Sequence, residues 1–407
     1  MPLPSITAAS MLPRSPVAAL FGLALTLNAA TADPAPDPTD WAAVEAAATG
    51  QSVDWYAWGG EAHINDYIAW VGEEVADRYG VTLRQVKLAD TAEAVSRVLA
   101  ETVAGRTDGG AVDLIWINGE NFVAMKENDL LLAGEWAEKL PNWDLVDLAR
   151  FGPAIQTDFA VAVEGQQSPW GRAQLVYLYD DARTKAPTSL EELIAFAEAN
   201  PGRFTYPQPP NFIGTSFLKQ VLIEVAPDRE RLLEPAGPDA PDTVRNHLLP
   251  VLERLHPHLW RQARVFPQGV ADLRRLFADG ELLLVLTHNP SDAAAAINDG
   301  LLPPSVRIGA FKTGTLGNVH FVAIPKNAGD KAGAMIVANF LLSPRAQARK
   351  ADPAVWGDPS VLDVGALPEA DRAAFPAAPS VSAPTLQEPH ASWTGVIEKV
   401  WNETFLQ

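Results

Sequence analysis

The stretch Ala111–Asn121, AVDLIWINGEN, decides the fold. A run of apolar, β-favouring residues stops at Asn118-Gly119-Glu120-Asn121. An apolar, β-favouring run of this kind fits a buried strand. An amide, a glycine, a carboxylate and a second amide follow at once. In open α/β sheets, ligands sit outside the carboxyl ends of the strands. The abrupt change therefore reads as one wall of a ligand cleft.

Upstream, QSVDWYAW predicts a first strand at about Val53–Ala57, ended by Trp58-Gly59-Gly60. A helix follows from about Glu61, with Ile64, Ile68, Val71, Val75 and Tyr79 on one face and Gly80 as its C-cap. VTLRQVKL is the second strand. Asp90, with Glu93 three residues on, predicts a capped helix whose buried stripe is Val95, Val98, Leu99 and Val103. The order β-α-β-α-β with short turns argues for a parallel sheet covered by helices. In such an order the first and third strands lie side by side, so Trp58-Gly59-Gly60 and Asn118–Asn121 share a rim.

Downstream, Gln174–Tyr179 predicts a strand, and Pro187-Thr188-Ser189-Leu190 opens a helix. FTYPQPPNF reads as a strand running into a loop, and GTSFLKQVLIEVA as a helix with Thr215 and Ser216 in its first turn, where free N–H groups bind polar ligands. Residues 227–242 form a surface excursion rich in Pro, Asp and Glu. GELLLVLTHNP is another buried strand, ending in Thr287-His288-Asn289. HFVAIPKNA is a late strand, followed by the helix AGAMIVANFLLS. Residues 351–390 are Pro-rich and irregular. In the tail, Trp393, Val396, Ile397, Val400 and Trp401 line one face of a docking helix.

Lys and Arg number 31 against 50 Asp and Glu, a net charge of −19. Such a chain repels phosphate backbones and anionic lipid, which argues against nucleic-acid and membrane-surface binding. The chain has no cysteine, so disulfides, thiolate metal sites, cysteine nucleophiles and lipid-attachment cysteines are excluded. Arg14, the apolar run Val17–Leu27 and the A-x-A pattern Ala30-Thr31-Ala32 predict a signal peptide over residues 1–32, cleaved after Ala32. Residues 33–40, DPAPDPTD, read as a flexible leader. The mature chain is then expected in the periplasm. Catalytic signatures such as G-x-S-x-G, H-E-x-x-H, the P-loop and the dinucleotide fingerprint are missing from the sequence. His256-Pro257-His258 has no metal-ligand spacing and reads as a surface loop. His320 reads as a core histidine. No metal and no cofactor are expected.

Several phrases carry a resemblance. PTSLEELIAFAEANPGRFTYPQPPNFIGTSFL, DWYAWGG, VDLIWINGENF, THNPSDAAAAI, GNVHFVAIPKNA and AVWGDPSVLD together resemble periplasmic solute-binding proteins of ABC transporters, in particular the YnjB-type branch. That branch is related to thiamine-, polyamine- and iron-binding proteins. The resemblance covers nearly the whole mature chain, in order. It implies an α/β, two-lobed periplasmic-binding-protein fold of the type II-like kind, each lobe a mostly parallel sheet flanked by helices, with hinge strands between. It also implies a small-molecule solute clamped between the lobes, with an ABC permease and its ATPase as partners, and a monomer is expected. Residues 41–150 would open lobe 1, 151–300 would form mainly lobe 2, and 301–407 would return to lobe 1 and add C-terminal helices.

Ligand-binding candidates fall at strand ends and helix starts: Trp58, Gly59, Gly60, Asn118, Gly119, Glu120, Asn121, Trp170, Gln174, Tyr177, Asn211, Gly214, Thr215, Asn289 and Asn318. Aromatic faces supply contact area, and Asn and Gln offer donor and acceptor together. Gly59, Gly60 and Gly119 would bring backbone N–H groups close to a ligand. Glu120 would hold a cationic group, with Trp58 or Trp170 adding a cation–π contact. Ferric-binding relatives use tyrosine pairs; Tyr177 and Tyr179 lack a second pair or a carboxylate cluster, which favours a structural role. The other reading is a periplasmic hydrolase or lyase, whose only loose nucleophile–base set is Thr215 or Ser216 with His288.

Overall fold

A computed structural model describes residues 35–377, 381 and 383–406. The expected signal peptide, its cleavage site and the first leader residues lie outside the described residues. In chain order the strands are β1 (Ser52–Trp58), β2 (Thr82–Leu88), β3 (Leu114–Ile117), β4 (Thr157–Asp158), β5 (Val161–Ala162), β6 (Gln167–Gln174), β7 (Val176–Asp180), β8 (Leu284–Thr287), β9 (Val306–Gly309), β10 (Thr315–Ala323) and β11 (Thr385–Leu386).

The first sheet runs β11-β10-β3-β1-β2, with β6 also on β10. β1 pairs parallel with β2 and β3, and β10 pairs antiparallel with β3 and β6. Val53, Trp55 and Ala57 alternate into the core, the period-2 signature of a strand. The Ala62–Tyr79 helix buries Ile64, Tyr67, Ile68, Val71 and Val75 against that sheet, and Gly80 caps it at φ +68°. A second sheet, β8-β7-β9, has its own core, built from Leu175, Phe204, Tyr206, Phe217, Leu284 and Leu286 among others. Here β7 runs antiparallel to both neighbours. It continues outward from β6 after only Leu175, whereas β8 and β9 run back so that their carboxyl ends lie at the base of β7.

Among the described residues, three segments cross between these two cores. Strand β10 carries Leu316 in the second core and Val319 and Phe321 in the first. The β6–β7 chain does the same with Trp170 and Leu175. The third crossing leaves Leu362 in the first core, pairs β11 with β10, and ends in the Ser392–Phe405 helix, whose Trp393, Ile397, Val400 and Trp401 are buried in the second core.

Several expectations need correction. The strand predicted at Gln174–Tyr179 is two strands, β6 and β7, in different sheets. Residues 204–208 form no strand; Phe204 and Tyr206 pack in the second core, and the prolines at 207, 209 and 210 have no N–H to offer a ladder. The Ala92–Val103 helix buries Ala94, Val98 and Glu101, leaving Leu99 39 % and Val103 79 % exposed. Glu101 turns inward because it accepts from Ala111 N–H (3.2 Å) and Asn327 Nδ2 (3.2 Å). His256 is buried, not on a surface loop: its Nε2 lies 2.7 Å from the Tyr206 hydroxyl, and burial lowers its pKa to about 4.

Candidate functional site

The parallel register sets Tyr56 opposite Ile115, so the turn after β1 lies beside the turn after β3. Trp58 is half-buried and its indole folds over Gly60: a Cβ on residue 60 would lie 2.2 Å from ring atom Cζ2. Glycine is what lets the ring take that position. Gly59 is committed to the scaffold, donating to Leu88 O (3.0 Å) and accepting from Asn65 Nδ2 (3.1 Å). Gly119 has φ +59°, and a Cβ there would meet the Phe159 ring at 2.7 Å. Its N–H donates to Asp158 Oδ1 (2.8 Å), so this amide too is already used. Asn118 and Asn121 are half-buried and Glu120 is exposed. Asn118 precedes the Gly119–Glu127 helix without a side-chain cap bond, which leaves its amide available.

The facing wall comes from the second core. Asn211 caps the Phe212–Val225 helix, accepting from Ile213 N–H (3.2 Å) while Nδ2 donates to Gln268 O (3.1 Å). Because the helix begins at Phe212, Thr215 lies beyond the free first turn and its N–H donates to Asn211 O (2.9 Å). The Thr215 hydroxyl instead donates to Glu398 Oε1 (2.7 Å) on the C-terminal helix. Gly214 is buried where a side chain would meet Pro207 O at 1.9 Å, so it is a packing position. At the end of β8, Asn289 accepts from Ser291 N–H (2.9 Å), and its Nδ2 donates to Trp356 O (3.0 Å) of the first core. That bond ties the two lobes together. His288 rests 5.0 Å from the Phe212 ring, and its Nε2 is buried without a partner. Burial, with the charges of His320 and Lys219, pushes its pKa down to about 3, so the ring is neutral.

Four predicted residues lie in the core or the hinge. Trp170 is fully buried among Trp116 (4.9 Å), Trp55 (5.3 Å) and Trp356 (5.4 Å). It offers no face to a solute. Tyr177 is buried against Phe311 (5.5 Å). Gln174 Nε2 is bound within the crossings, to Thr315 Oγ1 (3.0 Å) and Pro384 O (3.3 Å). Asn318, also on a crossing strand, keeps a buried Oδ1 without a partner. Two residues on along β10, His320 lies half-buried, stands edge-on to Trp116 (5.3 Å) and bonds Asp358 Oδ1 through Nε2 (3.0 Å).

Where the lobes meet, the structure also gathers charged residues outside the predicted set. Lys219, 2 % exposed, pairs with Glu388 (3.3 Å) and lies 4.0 Å from the Phe159 ring centre. Asp158 is fully enclosed: burial raises its pKa to about 7 against the help of Gly119 N–H and Gln167, and Glu120 and Glu388 push it further up. Burial also raises Glu388 and Glu398, and the charge of Glu120 adds to both. Lys219 was the most readable of these in sequence, a lone lysine in the apolar run FIGTSFLKQVLIEV. Glu388 lies in an irregular Pro-rich stretch and Glu398 on a helix of mixed composition, so neither carries a local signal.

Comparison with known proteins adds an independent line. Residues 70–377 match the family model described as bacterial extracellular solute-binding protein. Protein YnjB of Escherichia coli (strain K12) is 47 % identical over 365 residues, 89 % of this chain and 93 % of YnjB. An ABC transporter structure from Clostridium perfringens superposes with a TM-score of 0.60 at 16 % identity, over 87 % of this chain and 99 % of that one. The spermidine/putrescine ABC transporter substrate-binding protein PotD of Streptococcus pneumoniae gives 0.59 at 14 %, over 87 % and 98 %. At such identities the structural matches speak for the fold.

Proposed function

The chain belongs to the bacterial extracellular solute-binding protein family, the substrate-binding kind of ABC transporter component, and from that premise we propose where and how it holds its solute. A small polar solute enters between the lobes and contacts Trp58, Asn118, Glu120 and Asn121 on one side and His288 and Asn289 on the other, with Thr215 packed behind that second wall. Of the wider set predicted from sequence, Asn211 and Gly214 shape the second wall, while Trp170, Gln174 and Tyr177 support it from behind. The observation that carries this reading is the convergence of the carboxyl ends of β1, β3 and β8 at the junction spanned by the Asn289–Trp356 bond. Closure follows because only the closed arrangement lets both walls touch one molecule. The closed, loaded form is what an ABC permease receives; an ATPase completes the transporter, and the binding protein acts as a monomer. Export removes residues 1–32. The family is one of binding proteins, so the hydrolase reading is set aside.

The test is native mass spectrometry of chain purified from the periplasm, followed by calorimetry with the solute recovered. Retention of one small molecule per chain is expected. Trp58→Ala should weaken its binding by about 2 kcal/mol or more, as loss of a large aromatic anchor does, with the melting curve showing a folded variant. Undiminished affinity in a folded Trp58→Ala chain would move the solute away from this rim.

A further inference from the structure

We propose that His320 contacts the solute on the floor of the junction, its Nδ1 accepting a hydrogen bond from an N–H or O–H group of the solute, and that Lys350 and Asp358 are positioning residues that fix its tautomer; this rests on the solute-binding reading above. Lys350, on the Pro344–Ala351 helix, is fully enclosed. Its Nζ lies 2.5 Å from Asp358 Oδ2 and also donates to Trp170 O. The other carboxylate oxygen, Oδ1, lies 3.0 Å from His320 Nε2. Burial opposes the charge on Asp358, but Lys350 and His320 outweigh it and hold the carboxyl below its ordinary value. A carboxylate only accepts, so Nε2 carries the proton. The charge on Asp358 is already matched by Lys350, and the neutral imidazole keeps its lone pair on Nδ1. Gly171, opposite His320 in the β6–β10 register, makes the room: a Cβ there would lie 2.0 Å from Asp358 Oδ2, 2.2 Å from Lys350 Nζ and 2.9 Å from His320 Cδ2. A buried ion pair adds little net stability. What this one supplies is the orientation of the ring.

The surroundings of the ring place it at the junction. The His320 side chain is 14 % exposed although β10 is an inner strand, and Nδ1 has no partner among the described residues. Continuing the β10–β3 register one residue past the Phe321–Ile117 pair sets Asn118 beside it. Half-buried Trp116 meets the ring edge-on at 5.3 Å. Trp356 stacks on it (6.1 Å, 18°), and the Trp356 carbonyl accepts from Asn289 Nδ2 of the second lobe (3.0 Å). His320 thus sits between a candidate contact of each lobe. Asn318, two residues back on the same strand face, adds a buried Oδ1 without a donor. Buried acceptors are rarely left unsatisfied. Neighbouring acceptors call for a solute group that donates, whereas a carboxylate or phosphate oxygen would meet lone pairs.

The experiment is nitrogen-15 NMR of the exported, solute-stripped chain labelled at histidine. The His320 signals are identified by their loss in His320→Phe, which keeps a ring between Trp116 and Trp356. The probes are acetamide, which carries N–H donors, and N,N-dimethylacetamide, which carries none. At pH 8 the proton is expected on Nε2, and acetamide, but not its dimethyl analogue, should shift Nδ1. In Asp358→Asn the amide oxygen stays with Lys350 and its NH2 turns to His320, so the proton should move to Nδ1 and the acetamide shift should vanish. A merely structural pair would leave the tautomer unchanged. In native mass spectrometry of unstripped periplasmic chain, His320→Phe should hold the retained molecule about tenfold more weakly, with a melting curve showing a folded variant. A proton on Nδ1 in the parent, no acetamide shift, an equal shift with N,N-dimethylacetamide, or undiminished retention in folded His320→Phe overturns the proposal and leaves solute binding in place. Absence of any retained molecule from the parent would overturn the reading on which it rests.

Discussion

Glu61→Gln should open the lobes. Glu61 begins the helix after β1, in the first lobe, and Arg274 lies on the Val270–Ala278 helix of the second. Arg274 Nη1 is 3.1 Å from Glu61 Oε2, and its Nη2 is 2.5 Å from Asp292. One guanidinium thus fastens the rim beside Trp58 to the loop after β8. The Glu61 carboxylate is 15 % exposed and the Arg274 side chain 34 %, so solvent screens part of the attraction. A net worth of about 1 kcal/mol is reasonable for such a pair. Arg274→Ala would also strip Asp292 of its partner, so Glu61→Gln is the cleaner perturbation: it removes the inter-lobe charge and leaves the Arg274–Asp292 pair intact. About 1 kcal/mol corresponds to roughly fivefold in the closed-to-open ratio. If the closed form is what binds, Kd rises by up to the same factor. Small-angle X-ray scattering of the solute-free chain should show a larger radius of gyration in the variant, and calorimetry a weaker affinity. Unchanged scattering and affinity would refute the reasoning that this pair holds the lobes together.

Asp158→Asn should flatten the dependence of stability on pH. The folded-state pKa of Asp158, about 7, lies above its ordinary value of 3.8. The folded chain therefore holds that proton more tightly, and stability falls as pH rises from about 4 to about 7. Asn keeps an acceptor for Gly119 N–H, and Gln167, whose Oε1 is unpartnered, can turn to accept from the new amide. Melting curves at pH 5 and pH 8 should converge in Asp158→Asn and diverge in the parent; equal slopes would contradict the buried-carboxyl assignment. Gly119→Ala should cost about 1–3 kcal/mol of stability, because φ is +59° and Phe159 blocks the Cβ. Denaturant titration would measure it, and a loss under about half a kcal/mol would show that the turn relaxes.

The first lobe was legible because its signals are local. Alternation in QSVDWYAW, the apolar run before Asn118 and the face of the Ala62–Tyr79 helix each predict an element from its own residues. The rim shared by Trp58 and Asn118 followed from strand order. What could not be read depends on distant partners. Trp170 read as a cleft aromatic near a strand end, but three tryptophans from β1, β3 and the segment around residue 356 enclose it. Glu101 faces inward only because residues 111 and 327 supply its donors. Glu398 meets Thr215 across 183 positions of sequence, a pairing no helical periodicity encodes.

The central claim, one solute touching both lobes at the junction, is tested most directly by hydrogen exchange of the solute-free and solute-loaded chain. Slower exchange is predicted at once in residues 58–60 and 118–121 of the first lobe and in 212–219 and 287–291 of the second. Protection confined to one lobe, or to surfaces away from both sets, would contradict it.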